Sequence, residues 1–330
     1  VLIVRQHNQF GDLLASISLF RAVKEKYPDS KITLIASRDN HFAVEKNSYI
    51  NSLFIFNNRL IWNPFYLLKL YRSLRMKYDI AIVPATVAIS KTSCIIAAFS
   101  DAIIKIGPGT LNTKKNDLSF LFHYPINLNW KKCPDAHVSD FILDVIRPFE
   151  ISTRNYKSSI CFDQIDIKNA EDFINGIKDQ NQFVVGFHVG AGKPQNRWPL
   201  EKYIYLIDTL KKSYPLSVYF TGSDSDKTEI NFIKKNLKHN AGYFLNKNIP
   251  QVAALISLSD LFITNDTGIM HVAGAVSTPQ ISIFGPTNPF NWAPLGDNKF
   301  YVRQSELVGD VTVEEVFNLC KNVLEEKKIE

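Results

Sequence analysis

The feature that most constrains this chain is an alternation of short apolar runs with longer amphipathic stretches. Leu2 to Val4 reads as a buried strand, and Leu13 to Lys26 as a helix with Leu13, Ile17, Phe20 and Val23 at helical spacing. Lys31 to Ala36 is the next strand, reached after Pro28 closes that helix. A Lys/Arg-rich helix over Pro64 to Lys77 then leads into a strand at Ile80 to Pro84. Parallel strands need a crossover between them, and a helix supplies it, so strand, helix, strand predicts a parallel sheet.

The second half repeats the grammar. Strands are predicted at Phe183 to Val189, Leu216 to Thr221, Leu261 to Thr264 and Gln280 to Phe284. Between and after them, helices are predicted at Leu200 to Ser213, Asp226 to Leu237, Gln251 to Leu258, His271 to Val276 and Thr312 to Lys327. A chain of 330 residues suits two domains at roughly 100 to 200 residues each. Periodicity weakens over Arg147 to Asp163, where Pro148 interrupts, so two doubly wound α/β domains are expected over 1–153 and 154–330. Ligands of open parallel sheets sit beyond the carboxyl ends of the strands, which makes each strand-to-helix loop a candidate site and predicts a cleft between facing domains.

Charge is unevenly spread. Residues 1–150 carry 19 Lys and Arg against 12 Asp and Glu, whereas 151–330 carry 19 against 20. The basic half suits an anionic partner, or else an ordinary solvated face. Nucleic acid is disfavoured because aromatic residues are not interleaved with the basic ones in a recognisable module. Cys94, Cys133, Cys161 and Cys320 stand far apart, so neither a zinc site nor a disulfide framework is signalled. Thr267 to Gly296 carries no charged side chain, but Pro279, Pro286, Pro289 and Pro294 interrupt it, and no membrane span is expected. The strand at Leu2 runs straight to Gly11-Asp12 without the n-region and h-region of a signal peptide, so a cytoplasmic location is expected.

Four loops carry residues suited to chemistry. In Gln9-Phe10-Gly11-Asp12, Gly11 permits a tight turn and Asp12 stands at the start of a helix, either as a simple cap or as an acid turned into the crevice. Val185-Gly186-Phe187-His188-Val189-Gly190-Ala191-Gly192-Lys193 runs from a strand into a Gly-rich turn. Its spacing differs from a P-loop and Pro194 replaces the magnesium-binding hydroxyl, yet Gly190 and Gly192 can offer amides to a phosphate, with Lys193 and Arg197 as cations. At Asn265-Asp266-Thr267-Gly268-Ile269-Met270-His271 a polar cluster opens a helix whose free amides suit a diphosphate, with His271 either a further donor or a core histidine. Phe284-Gly285-Pro286-Thr287 forms a turn whose Thr287 hydroxyl can reach the same phosphate, or is a structural loop. No GxGxxG or nucleophile elbow is present, which weighs against dehydrogenase and hydrolase readings.

Taken in order, these motifs resemble glycosyltransferase family 9, the ADP-heptose:lipopolysaccharide heptosyltransferases. The resemblance is carried by Val1 to Arg5 with Phe10-Gly11-Asp12, by Gly186 to Gly192 and Arg197-Trp198-Pro199-Leu200, by Asn265-Asp266-Thr267-Gly268 with His271, and by Phe284 to Thr287 and Trp292. It implies a GT-B architecture, two Rossmann-like domains facing each other across a cleft, with an N-terminal acceptor domain and a C-terminal nucleotide-sugar domain. It also implies an inverting enzyme that transfers heptose from ADP-heptose to a lipopolysaccharide core or related glycolipid. Asp12 then matches the family's general base, while Asp266, Thr267, Gly268 and His271 match its donor motif and Thr287 its phosphate loop. Asp224 is a looser match to its ribose-binding acid. Where such sequences carry a phosphate-facing lysine this chain has Asn196, which leaves Lys193 or Arg197 to supply the charge.

The expectations that follow are a nucleotide-sugar donor, no cofactor, no metal, and a phosphorylated glycolipid acceptor at the inner membrane, with the enzyme cytoplasmic and peripheral there. The alternatives are a family member with another donor or acceptor, a non-catalytic sugar-nucleotide-binding protein, and a sugar-nucleotide epimerase.

Overall fold

A computed structural model describes residues 1–6, 10–179 and 181–329. Gln9 of the first candidate loop and Glu330 at the end of the expected second domain lie outside them. The chain divides into two compact units, Val1–Ser158 and Ser159–Glu330. Residues 154–158 stay with the first unit because Arg21 Nη1 donates to the Asn155 carbonyl at 2.5 Å and Ser158 Oγ to the Leu14 carbonyl at 3.0 Å.

Unit 1 holds β1 (Leu2–Arg5), β2 (Thr33–Ser37), β3 (Ser52–Phe56), β4 (Tyr78–Ile82), β5 (Ala102–Leu111), β6 (Lys114–Lys115) and β7 (Tyr124–Leu128). Their order is β3-β2-β1-β4-β5, with β7 parallel to β5 and β6 turned back antiparallel on it. β1 and β2 are buried at every position, as expected of central strands covered on both faces, whereas β3 alternates at the edge. The β5–β6 turn is made by Asn112 at φ 56°, a conformation asparagine tolerates better than most residues. The single helix predicted over Leu13 to Lys26 is two, Phe10–Ala15 and Ile17–Lys26. Ser16 separates them, its Oγ donating back to the Asp12 carbonyl at 2.8 Å, a local bond that competes with the helical ladder.

Unit 2 holds β8 (Phe183–His188), β9 (Leu216–Gly222), β10 (Gly242–Leu245), β11 (Leu261–Asn265), β12 (Gln280–Ile283) and β13 (Lys299–Val302), ordered β10-β9-β8-β11-β12-β13 and wholly parallel. Its core packs Val185, Phe187, Val218 and Ile263 of the sheet against Tyr203, Leu206 and Leu210 of helix Leu200–Ser213 and Val316 of helix Val313–Ile329. Gly186 is required where it stands, since a Cβ there would meet the Tyr219 ring at 2.3 Å.

Both units are therefore doubly wound, and each reverses its strand order beside its own first strand: between β1 and β4 in unit 1, between β8 and β11 in unit 2. All four cysteines are free. Among the described residues no helix is long and apolar enough to cross a membrane.

Candidate functional site

In unit 1 the reversal is occupied by a buried charge cluster. Arg5 ends β1, and Asp12 follows it in the first turn of helix Phe10–Ala15. Arg5 Nη2 donates to Asp12 Oδ1 at 3.0 Å and to Thr86 Oγ1 at 2.7 Å, and Thr86 Oγ1 donates to the same Asp12 oxygen at 2.6 Å. Arg5 Nη1 reaches the Pro84 carbonyl at 3.2 Å, so the guanidinium joins the ends of β1 and β4. Trp130 Nε1 donates to the Thr86 carbonyl at 2.7 Å, and its ring stacks on Phe141. Burial lowers Arg5 from its ordinary value, and the Asp12 charge opposes that.

Asp12, read from the sequence as a cap or as an acid turned into the crevice, has a side chain only 1% exposed. The reason is Arg5: a cation at the end of an otherwise apolar strand must be paired when buried, and the acid is its partner. Neither Arg5 nor Thr86 stood out as a site residue in the sequence. The available signal was the charge closing Leu2-Ile3-Val4, whereas Thr86 carries none.

In unit 2 the reversal is knitted by Asn265, the last residue of β11. Its Nδ2 donates to the carbonyls of Val189 at 2.9 Å and Gly190 at 3.2 Å, and its Oδ1 accepts from Trp198 N at 3.1 Å and Tyr203 Oη at 2.9 Å. The Gly-rich turn, the segment after it and β11 are thus locked together by one fully buried amide.

Around that lock lie Asn196, Asp266, Thr287 and Lys193. Asn196 Nδ2 donates to Asp266 Oδ2 at 2.8 Å and to the Asp266 carbonyl at 3.2 Å, while Asn196 Oδ1 is buried without a hydrogen-bond partner among the described residues. Burial raises Asp266 above the usual carboxylate range, opposed by the Thr287 hydrogen bond and the nearby Lys193 charge. Lys193 itself is exposed, and no atom comes within 4 Å of the place a Cβ would take on Gly192. Thr267 caps helix Gly268–Gly274 through its backbone only, and His271 in that helix is half-buried with its ring 6.1 Å from that of Trp292.

Two expected donor residues are engaged elsewhere. Arg197 pairs through Nη1 with Glu229 at 2.5 Å and donates from Nε to the Ala191 carbonyl at 2.9 Å, so its charge braces the turn from behind. Asp224 is exposed and accepts from Asn246 Nδ2 at 2.8 Å. The acid against the Gly-rich turn is Asp226: a Cβ on Gly190 would lie 2.0 Å from its Oδ1, and its Oδ2 accepts from Ser223 N at 2.8 Å and Oγ at 2.9 Å. Asp226 also faces His188, whose pKa burial lowers while the Asp226 charge opposes the shift. Asp224 and Asp226 share a short 3-10 turn, and spacing alone did not tell them apart. Among the described residues no group of His, Cys, Asp and Glu is arranged to hold a metal ion.

The model of glycosyltransferase family 9 (heptosyltransferase) matches residues 67–316. The chain belongs to that family. The chain is similar to the lipopolysaccharide heptosyltransferase 3 of Escherichia coli, 24% identical over 304 residues, covering 87% of this chain and 84% of that protein. The crystal structure of a family 9 glycosyltransferase from Veillonella parvula superposes with a TM-score of 0.84 at 18% identity, covering 98% of this chain and 97% of that one. The E. coli ADP-heptose lipopolysaccharide heptosyltransferase II superposes with a TM-score of 0.80 at 19% identity, covering 99% of each chain. This family 9 chain is a glycosyltransferase, and its fold class is GT-B, built of two parallel-sheet α/β units.

Proposed function

We propose that this family 9 glycosyltransferase transfers a heptose from ADP-heptose to a phosphorylated glycolipid of the lipopolysaccharide core type, in a single displacement that inverts the anomeric centre. The observation that carries the reading is the convergence of Asp266, Thr287, Asn196 and Lys193 beside the Gly190–Gly192 turn, at the carboxyl end of the unit 2 sheet where doubly wound folds take nucleotides. It is supported by relatives named as lipopolysaccharide and lipooligosaccharide heptosyltransferases.

Unit 2 takes the nucleotide sugar. A diphosphate gains charge as the glycosidic bond breaks, and fixed donors aimed at that charge lower the barrier. Lys193 is the cation of this site, since Arg197 is held by Glu229. The Thr287 hydroxyl and the amides of Thr267 and Gly268 supply neutral donors, and no metal is required. Asp226, held against Gly190, fixes the path of the turn.

Unit 1 takes the acceptor, and Asp12 removes the proton from its attacking hydroxyl. Arg5 and Thr86 hold Asp12 Oδ1, which fixes the carboxylate's orientation. Because that side chain is 1% exposed, acceptor binding must open a path to it. We place the reaction at the cytoplasmic face of the inner membrane, where such a glycolipid would be met.

The experiment is incubation with ADP-heptose and a heptose-deficient core glycolipid, reading ADP release and acceptor mass in the presence and absence of a chelator. Transfer with inversion, insensitive to the chelator, is expected. Binding without turnover, an isomerised nucleotide sugar, or turnover only with a different nucleotide sugar would each overturn the assignment.

A further inference from the structure

We propose that the face of unit 1 built by residues 51–78, together with the edge of helix Lys91–Ala98, docks on an anionic lipid bilayer. The proposal deepens the glycolipid reading and rests on it for the presence of a membrane. Its structural grounds are separate.

Helix Pro64–Leu74 is fixed firmly but by one side only. Asn63 caps it by accepting from Phe65 N and Tyr66 N, and Pro64 starts it with a preset φ. Tyr66, Leu70 and Leu74, spaced four apart, pack onto the unit 1 core. The opposite side is apolar as well, and solvent meets it: Phe65 is 80% exposed, Trp62 just before the helix is 89% exposed, and Leu67, Leu68 and Tyr71 are each about half so. Beside the helix runs a groove of about 440 Å³ lined by Leu67, Tyr71, Ile95 and Phe99, and Phe99 is 68% exposed. Scattered exposed apolar residues need no explanation, but a contiguous patch marks an interaction surface.

The charge pattern selects the partner. From Asn51 to Tyr78 the chain carries Arg59, Lys69, Arg72, Arg75 and Lys77 and not one Asp or Glu. Asp101 pairs with Arg75 at 2.6 Å, and among the described residues no ion pair engages the other four. Aromatic and aliphatic side chains interleaved with Lys and Arg on one helix face match a bilayer interface, where rings sit at headgroup level and long basic side chains reach anionic phosphates. A second copy of the chain fits poorly, since a twofold interface would set this basic segment against itself.

The test is vesicle flotation of the full chain with phosphatidylglycerol-containing vesicles and with pure phosphatidylcholine vesicles. Binding to the anionic vesicles that weakens with salt is expected. The pair Lys69→Gln with Arg72→Gln should lower partitioning about 25-fold, from about 1 kcal/mol per basic residue near the surface. The pair Trp62→Ser with Phe65→Ser should lower it independently of salt. All four side chains are exposed, so the variants should keep the parent's circular dichroism and its turnover on a deacylated, water-soluble acceptor. Equal binding to phosphatidylcholine, or unchanged binding by both pairs, would overturn the proposal. So would a dimer dispersed by Phe65→Ser in a chain that ignores vesicles, which would make the face a contact between copies. Vesicle binding without sugar transfer sinks the functional reading and leaves this surface standing, whereas transfer without vesicle binding does the reverse.

Discussion

Units 1 and 2 share one strand order and reverse it at the same step, yet each handles the acid beside its reversal differently. In unit 1, Asp12 is sealed against a guanidinium that closes its own first strand. In unit 2, Asp266 is held by the Asn196 amide and the Thr287 hydroxyl, with the Lys193 charge nearby. The lesson is that the shared scaffold fixes where chemistry can sit, and the partners each acid finds there decide how it is held. Their surfaces diverge too. Among the described residues, unit 2 exposes large apolar side chains such as Ile165, Tyr205 and Leu307 far apart in sequence, whereas unit 1 gathers nine of them from Ile55 to Met76.

The sharpest way to break this contrast is Asp12→Asn. If the unit 1 acid is the base, kcat should fall by about 100-fold to 10,000-fold, the range that general-base catalysis supplies, while ADP binding to unit 2 is unchanged. Calorimetric titration with ADP separates the two effects. Unchanged turnover would reduce Asp12 to a structural partner of Arg5.

Next in size is Arg5→Met, which takes the guanidinium away from the buried Asp12 carboxylate. Breaking a buried pair from one side costs about 3–5 kcal/mol, so the urea midpoint should drop steeply. Adding Asp12→Leu should recover much of that loss, since replacing both members by apolar groups removes the stranded charge. If Arg5→Met alone unfolds at the parent's midpoint, the cluster contributes nothing to unit 1.

How far this contrast was legible in sequence depended on the range of each interaction. Helix Leu200–Ser213 follows from its own periodicity, and the buried β1, β8 and β11 from their apolar runs. The ten-residue β5 was missed because Gly107-Pro108-Gly109 reads as a turn. It is instead a strand with a register shift, where a Cβ on Gly107 would strike the Phe122 ring at 2.3 Å. The edge strands β3, β10 and β13 are short and partly exposed, so their apolar stretches did not stand out as buried runs. At the site, Asp266 was legible because it follows β11 directly, and Asp12 because it stands in the first turn of the helix after β1. Thr86, 74 residues beyond Asp12, and Glu229, 32 residues beyond Arg197, were not, since only the folded sheet brings such partners together.

A smaller effect distinguishes the two glycines of the unit 2 turn. Gly190→Ala forces a methyl against Asp226 and should cost about 1–3 kcal/mol, the usual penalty for overpacking, with ADP binding weakened as the turn shifts. Gly192→Ala meets nothing within 4 Å and should leave the melting temperature unchanged. Equal melting shifts for both would mean that Asp226 yields, and that it does not fix the turn.

The smallest effect is a slope with pH, and it tests whether neutral partners are enough for the unit 2 acid. Burial outweighs Thr287 and Lys193 and raises Asp266 above its ordinary 3.8. A carboxyl raised on folding binds its proton more tightly in the native state than in the unfolded one. As pH climbs from 3.8 through the folded value, the unfolded chain has already released its proton while the native chain still holds one, so this residue's contribution to stability falls. Above the folded value the loss is complete and flat. The urea midpoint of the parent minus that of Asp266→Asn, followed from acid to neutral pH, should therefore decline across that window and then level. A difference that rises with pH would mean that Asn196, Thr287 and Lys193 together overcome burial, and that unit 2, like unit 1, holds its acid as a well-compensated anion.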